Sequence, residues 1–393
     1  MGIVASARAQ DWRESFFDFD DVVYMDTATQ GAIPRVTARA IESTLEWKKL
    51  PHVLTESTYF ELPGRVRALL ARMTGAAPEE IGLTTGASAG LAAVAASLEW
   101  EPGDEVLIAR GEFPAQFCTW VPLTGRRGIR VKVVTPRGRF IAPEDFLAAA
   151  GPRTRLVSAS LVRFDDGSLL DAARLAAGLR GTGAQLLLDL SQCVGAVPLD
   201  LHALGVDFAV AAGYKWLLGP YGTGFVWARR EILDTLRSGS FYWMAADGSS
   251  EFSSLSFDPD ESGAYAWKPP QGAGRWDAAE TASFLQLSGV EASLEFLSAA
   301  GVETVRRYND ELLAPLIERL PMDRCVLASP REAGNRGPFL CIAARSPEKT
   351  REIYARLRKE KIFVGLRNNA LRISPHLYNT PADIERLLFA LVV

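Results

Sequence analysis

Residues 185–228 read QLLLDLSQCVGAVPLDLHALGVDFAVAAGYKWLLGPYGTGFVWA, and the fold turns on this stretch. An apolar run enters Asp189, and a second, Val206 to Ala212, delivers Gly213, Tyr214 and Lys215. Continuous apolar runs of this length predict strands of a parallel sheet covered on both faces. In such sheets ligands sit outside the carboxyl ends of the strands, so the pattern offers an acid and a lysine at one ligand edge. A lysine amine can hold a carbonyl cofactor as a Schiff base, and a carboxylate beside a pyridine nitrogen keeps that nitrogen protonated. Spacing alone serves equally well an aspartate that caps a turn and a solvated loop lysine.

The flanking residues decide between these. D-L-S-Q (Asp189 to Gln192), A-V-P-L-D-L, the pair Asp207–Phe208 and G-Y-K-W-L-L-G-P (Gly213 to Pro220) resemble the class V aminotransferase superfamily. Its members include cysteine desulfurases, isopenicillin-N-epimerase-like proteins, kynureninase and several aminotransferases. The resemblance implies a fold type I α/β subunit: a large domain with a mainly parallel seven-stranded-type sheet, and a smaller C-terminal α+β domain. It also implies pyridoxal 5'-phosphate as cofactor, an α-amino acid as substrate and a homodimer.

Composition agrees with an ordinary globular enzyme. The 393 residues are 48% hydrophobic and 23% charged, long enough for two domains. A net charge of −4 gives no reason to expect nucleic acid or an anionic membrane as partner. No apolar run has membrane-spanning length, and the N-terminus lacks a signal-peptide pattern. Four cysteines without CxxC spacing favour reduced thiols in a cytoplasm. Three histidines, His52, His202 and His376, make a His-based metal site unexpected, so no metal ligands are assigned.

Along the chain, residues 1–20 read as an N-terminal arm packing on the small domain, 21–259 as the large cofactor-binding domain, and 260–393 as the small one. T-T-G-A-S-A-G reads as a strand, a Gly turn and a helix start, an arrangement that cradles anions on free N–H groups. The resemblance puts the cofactor phosphate on Gly86, Ala87 and Ser88, with Tyr214 and Ser88 as side-chain donors. It places Phe113 against the cofactor ring, Asp189 at the ring nitrogen, Gln192 at the phenolic oxygen and Lys215 as both anchor and catalytic base. Arg163 and Phe164 stand where relatives carry an asparagine or glutamine. R-W-D-A-A-E-T (Arg275 to Thr281) matches a pattern whose threonine reaches a neighbouring subunit's phosphate, except that Glu280 replaces a glycine. In L-R-I-S-P-H-L-Y-N-T, Arg372 matches the arginine that holds the substrate carboxylate; a planar guanidinium suits this by donating two parallel hydrogen bonds.

Transamination is the expected reaction, with epimerase or lyase chemistry (desulfurase-, isopenicillin-N-epimerase- or kynureninase-like) as the alternative and a non-catalytic member behind both. Val364 to Ser374 holds no cysteine, which argues against the persulfide route of desulfurases. A nucleotide-binding α/β protein would need GxGxxG after a strand or a Walker lysine; neither occurs.

Overall fold

The computed structural model describes residues 12–236, 243–245, 258–264, 272–277 and 283–392. After β1 (Val23–Tyr24) come two helices, α1 (Arg35–Lys49) and α2 (Glu56–Thr74). Alternation then sets in: β2 (Ile81–Thr84), α3 (Ala87–Ser97), β3 (Glu105–Ala109), α4 (Pro114–Arg127), β4 (Arg130–Val134), α5 (Pro143–Ala149) and β5 (Thr154–Ser160). It continues through α6 (Ala172–Leu179), β6 (Gln185–Asp189), α7 (Leu201–Leu204), β7 (Phe208–Ala212), β8 (Gly224–Ala228) and α8 (Arg230–Leu233). Local signals set the helix starts. Asp171 accepts from the Arg174 N–H at 3.0 Å to cap α6, a contact worth about 1 kcal/mol. Pro114 opens α4 at a position where a missing N–H costs nothing.

The seven strands lie in the order β2-β8-β7-β6-β5-β3-β4. Only β8 runs against its neighbours; the remaining pairs are parallel. Two antiparallel steps leave β2 aligned with β7, so the carboxyl ends of β2, β3, β5, β6 and β7 share one edge. Leu186 and Leu188 of β6 pack into one core with Ala209 and Ala211 of β7. Leu187, Phe208 and Val210 enter the core on the opposite face. Side chains alternate across a strand, so a sheet covered on both sides needs apolar residues at every step.

The C-terminal part contributes α9 (Phe284–Ala300), α10 (Val302–Arg319), β9 (Cys325–Leu327), β10 (Leu340–Ala344) and α11 (Pro347–Lys359). It ends with β11 (Ile362–Phe363), β12 (Gly365–Arg367), β13 (Ala370–Ile373) and α12 (Pro381–Val392). An antiparallel sheet, β12-β13-β10-β9, packs through Ile342 and Ile373 against Leu316, Leu357 and Leu387 of the helices. Asn368 and Asn369 alone join β12 to β13, at φ 46° and 60°. Asparagine tolerates this left-handed backbone, and two such residues make the tight turn that suits strand twist.

Each of the two cores draws on residues from both parts of the chain. β1 pairs in parallel with β11, and Val23 and Met25 enter the C-terminal core, because β11 offers an open edge to the incoming chain. In the other direction α9 lies on α1 and α2, and its Leu287 and Leu294 join the large core. Phe16, near the start of the described chain, sits edge-on to both Phe296 (5.6 Å) and Tyr378 (5.2 Å).

Candidate active site

A cavity of about 190 Å³ opens at the carboxyl edge of the sheet. Gly86, Ala87, Ser88, Phe113, Asp189, Gln192, Tyr214 and Lys215 all line it, so the topology collects these residues from four separate strand ends. Thr281 and Glu280 lie outside the described residues. The neighbouring Asp277 is fixed: it accepts from the Leu83 N–H at 2.9 Å and pairs with Arg67.

Asp189 ends β6 with one oxygen committed and one open. Its Oδ1 accepts from the Ser191 N–H at 2.8 Å, while Oδ2 has no protein partner among the described residues. Ser191 Oγ in turn accepts from the Ala212 N–H at 3.0 Å, tying the ends of β6 and β7 together. The turn-capping role and a ligand-facing role thus coexist in one side chain.

Lys215 follows β7 and is only 8% exposed. Its amine makes no hydrogen bond among the described residues; Nζ stands 5.3 Å from the Phe113 ring centre and 5.8 Å from that of Tyr214. Burial pulls its pKa down to about 8, and Arg372 and Arg367 push the same way against Asp189. An amine with that pKa is partly neutral near neutral pH, as a nucleophile or general base needs. Gly31 packs its α-carbon against the Lys215 carbonyl, where a β-carbon would collide.

The N-terminus of α3 faces the cavity with no side-chain cap. Its first N–H groups are therefore free for an anion, and the helix dipole favours negative charge there. Gly224 of β8 lets the Gly86 turn approach: a β-carbon on it would stand 2.6 Å from Gly86 Cα. Tyr214 and Ser88 bring hydroxyls to the same place, and neither hydroxyl has a partner among the described residues. Phe113 lines the cavity, leans edge-on against Phe164 (5.2 Å, 80°) and is 38% exposed.

Arg372, at 1% exposure, comes from β13 on the other sheet. It donates to Thr29 Oγ1 at 2.6 Å and to the Phe164 carbonyl at 3.1 Å, and lies 3.4 Å from Asp26 Oδ1. Its Nε is buried without a partner. Arg367 donates to the same Thr29 oxygen at 3.0 Å. Burial raises the Asp26 carboxyl above its ordinary range although Arg372 pulls the other way. Asp26 and Thr29 belong to the D-T-A-T segment that follows β1.

Two further departures concern polar groups. Phe164 lines the cavity as expected, but Arg163 turns away, donating to the Gly111 carbonyl at 2.9 Å and to Asp165 at 3.0 Å. Arg163 also stands 3.6 Å from Glu112, a buried carboxyl that burial pushes up. Glu112 accepts from the Phe113 N–H at 3.0 Å and from Ser160 Oγ at 2.6 Å, so it braces two cavity residues from behind. Gln192 is engaged at both ends of its amide, to Trp216 and to the Ala28 carbonyl.

A family model described as Aminotransferase class-V matches residues 23–387. The chain belongs to that family. The uncharacterized aminotransferase YcbU of Bacillus subtilis (strain 168) is 24% identical over 96% of both chains. Isopenicillin N epimerase of Streptomyces clavuligerus is 28% identical over 94% of both. Among solved structures, the cysteine desulfurase of Thermococcus onnurineus NA1 superposes with a TM-score of 0.83 at 20% identity, covering 98% of each chain. That likeness shows the fold, which is fold type I.

Class V enzymes of this family use pyridoxal 5'-phosphate, and the cavity fits it. The uncapped α3 N-terminus suits a phosphate, the open Asp189 oxygen suits a protonated ring nitrogen, and the unpaired Lys215 amine suits an aldehyde. Among the described residues no group of His, Cys, Asp and Glu is spaced to hold a metal, and no helix is long and apolar enough to cross a membrane.

Proposed function

We propose that this class V enzyme acts on an α-amino acid and transfers its amino group to a 2-oxo acid. The observation that carries this reading is the buried Lys215 amine standing unbonded between the Phe113 and Tyr214 rings, the one group among the described cavity-lining residues whose pKa is brought close to neutrality. The bound cofactor supplies an electron-withdrawing protonated ring that loosens bonds at the substrate's α-carbon.

The protein's own residues do the rest. Gly86, Ala87 and Ser88 hold the phosphate with backbone N–H groups, helped by the Tyr214 and Ser88 hydroxyls. Asp189 keeps the ring nitrogen protonated through Oδ2. Phe113 covers one face of the ring and excludes water there. Arg372 takes the substrate carboxylate, Nε being its one guanidinium nitrogen not already engaged among the described residues, and so fixes the α-carbon relative to Lys215. With the cofactor bound, Lys215 would take the substrate's α-proton and hand it back on the face where its amine stands.

A single base favours such a same-face shift. Inversion at the α-carbon is best served by a second acid on the opposite face, and Phe113, the aromatic that this reading sets against the ring, carries no proton. No cysteine lines the cavity either. The working form is a cytoplasmic homodimer: four cysteines free of disulfides suit a reducing compartment, and the sequence R-W-D-A-A-E-T matches a segment that reaches a neighbouring subunit in relatives.

The test is a panel of amino acids with a 2-oxo acid acceptor, products followed by mass spectrometry. Transfer of the amino group is expected. Release of ammonia or sulfide without transfer would replace the reading by a lyase, and deuterium uptake with inversion by an epimerase. Light scattering at micromolar concentration checks the dimer; a fully active monomer contradicts it.

A further inference from the structure

Trp216 directly follows Lys215 and is fully buried, stacked on Phe339 (6.3 Å, 15°) and close to His376 (5.8 Å). Its Nε1 donates to Gln192 Oε1 at 3.0 Å, while Gln192 Nε2 donates to the Ala28 carbonyl at 3.0 Å. An indole nitrogen only donates and a backbone carbonyl only accepts. The two contacts therefore fix which end of the amide is oxygen and which is nitrogen. A flipped amide would set its NH2 against the indole N–H and its oxygen against the Ala28 oxygen. In the fixed orientation one Nε2 hydrogen remains without an acceptor among the described residues, on a side chain that lines the cavity.

We infer that Trp216 is a positioning residue: its indole N–H locks Gln192 so that a donor, never an acceptor, meets the ionisable ring oxygen of the cofactor. The inference rests on the reading of the cavity as the pyridoxal phosphate site with Gln192 beside that oxygen. A hydrogen bond donated to the charged form of a group favours that form. Losing the lock frees the amide to turn its oxygen inward, which disfavours the anionic ring oxygen and raises the pH at which the bound chromophore loses its proton. The Ala28 N–H donates to Ser374 Oγ at 3.1 Å, two residues beyond Arg372, so the same amide ties the ring side of the site to the carboxylate side.

The test is a pH titration of visible absorbance on cofactor-loaded protein, for wild type, Trp216→Phe, Gln192→Leu and the double variant. Phenylalanine keeps an aromatic ring beside Phe339 and removes the donor, along with part of the indole's volume. Trp216→Phe is expected to raise the midpoint by about 0.5–1 pH unit, the size of one ordinary hydrogen bond. Gln192→Leu is expected to raise it at least as far, and the double variant to match Gln192→Leu alone. An unmoved midpoint in Trp216→Phe overturns the inference, as does an equal rise when Gln192 is already leucine. Should Trp216→Phe not fold, Gln192→Leu still decides: no change there removes the amide from the ring oxygen. A wild-type protein that shows no cofactor absorbance sinks the underlying reading as well, and is told apart because it fails before any substitution.

Discussion

Arg367 and Arg372 share one acceptor: both donate to Thr29 Oγ1, at 3.0 and 2.6 Å. Two cations converging on a neutral hydroxyl leave a local excess of positive charge that Asp26 offsets only in part. Such a place attracts a carboxylate, and Arg372 is the better buried of the two cations.

Substituting Arg372 is therefore expected to raise KM sharply. Losing a desolvated charge-assisted pair costs about 2–5 kcal/mol, or roughly 30- to several-thousand-fold. Arg372→Lys and Arg372→Ala should behave alike, since an ammonium lacks the two-pronged edge. Steady-state kinetics with the natural substrate checks this, with cofactor loading unchanged. An unaltered KM in either variant transfers the role to Arg367.

The same cations tune Lys215. Its pKa of about 8 predicts that capture of pyridoxal phosphate by the apo-protein accelerates as pH rises through that value, because only the neutral amine attacks. Removing a neighbouring cation lets the ammonium form persist longer, so Arg372→Ala or Arg367→Ala should move the midpoint up. Asp189→Asn should move it down, since the carboxylate is what favours the charged lysine. Stopped-flow absorbance across pH 6–10 reads all three; a shift of the opposite sign in any of them is incompatible with the charge arrangement described.

Asp189 carries a second expectation. Asp189→Asn keeps an oxygen to accept from the Ser191 N–H, so the turn at the end of β6 survives. The charge that holds the ring nitrogen protonated is gone. Turnover should fall about 100-fold or more while the melting temperature stays within a few degrees. Near-normal turnover would remove Asp189 from the chemistry.

The thiols are predicted to be dispensable. Cys193, Cys325 and Cys341 are buried, and burial raises all three thiols, Cys341 to about 12. Cys118 is exposed on α4 but does not line the cavity. The two-residue turn at Asn368–Asn369 provides no extended loop to carry a nucleophilic cysteine to the site. Iodoacetamide should modify Cys118 alone and leave activity intact. Inactivation that tracks labelling of any cysteine would reopen a thiol mechanism.

How far the chain could be read without coordinates follows from where each signal sits. β6 and β7 announce themselves because a doubly covered sheet demands unbroken apolar runs, and the carboxylate and lysine mark their ends. The α3 turn is local in the same way. Thr29, by contrast, meets Arg367 and Arg372 across more than three hundred residues of chain, and no local pattern announces that contact. Trp216 reads as one more apolar residue after the lysine; only its neighbour in space reveals the indole N–H as its working part. Arg163 stood in the right loop, yet the buried Glu112 behind that loop drew it away from the cavity. The two residues of β1 say nothing locally of β11 as partner.

The central claim is that Lys215 holds the cofactor. Loading the purified protein with pyridoxal phosphate, reducing it with borohydride and mapping the peptides tests it most directly. The account predicts one pyridoxyl group, on Lys215. A label on any other lysine, or no label after loading, contradicts it.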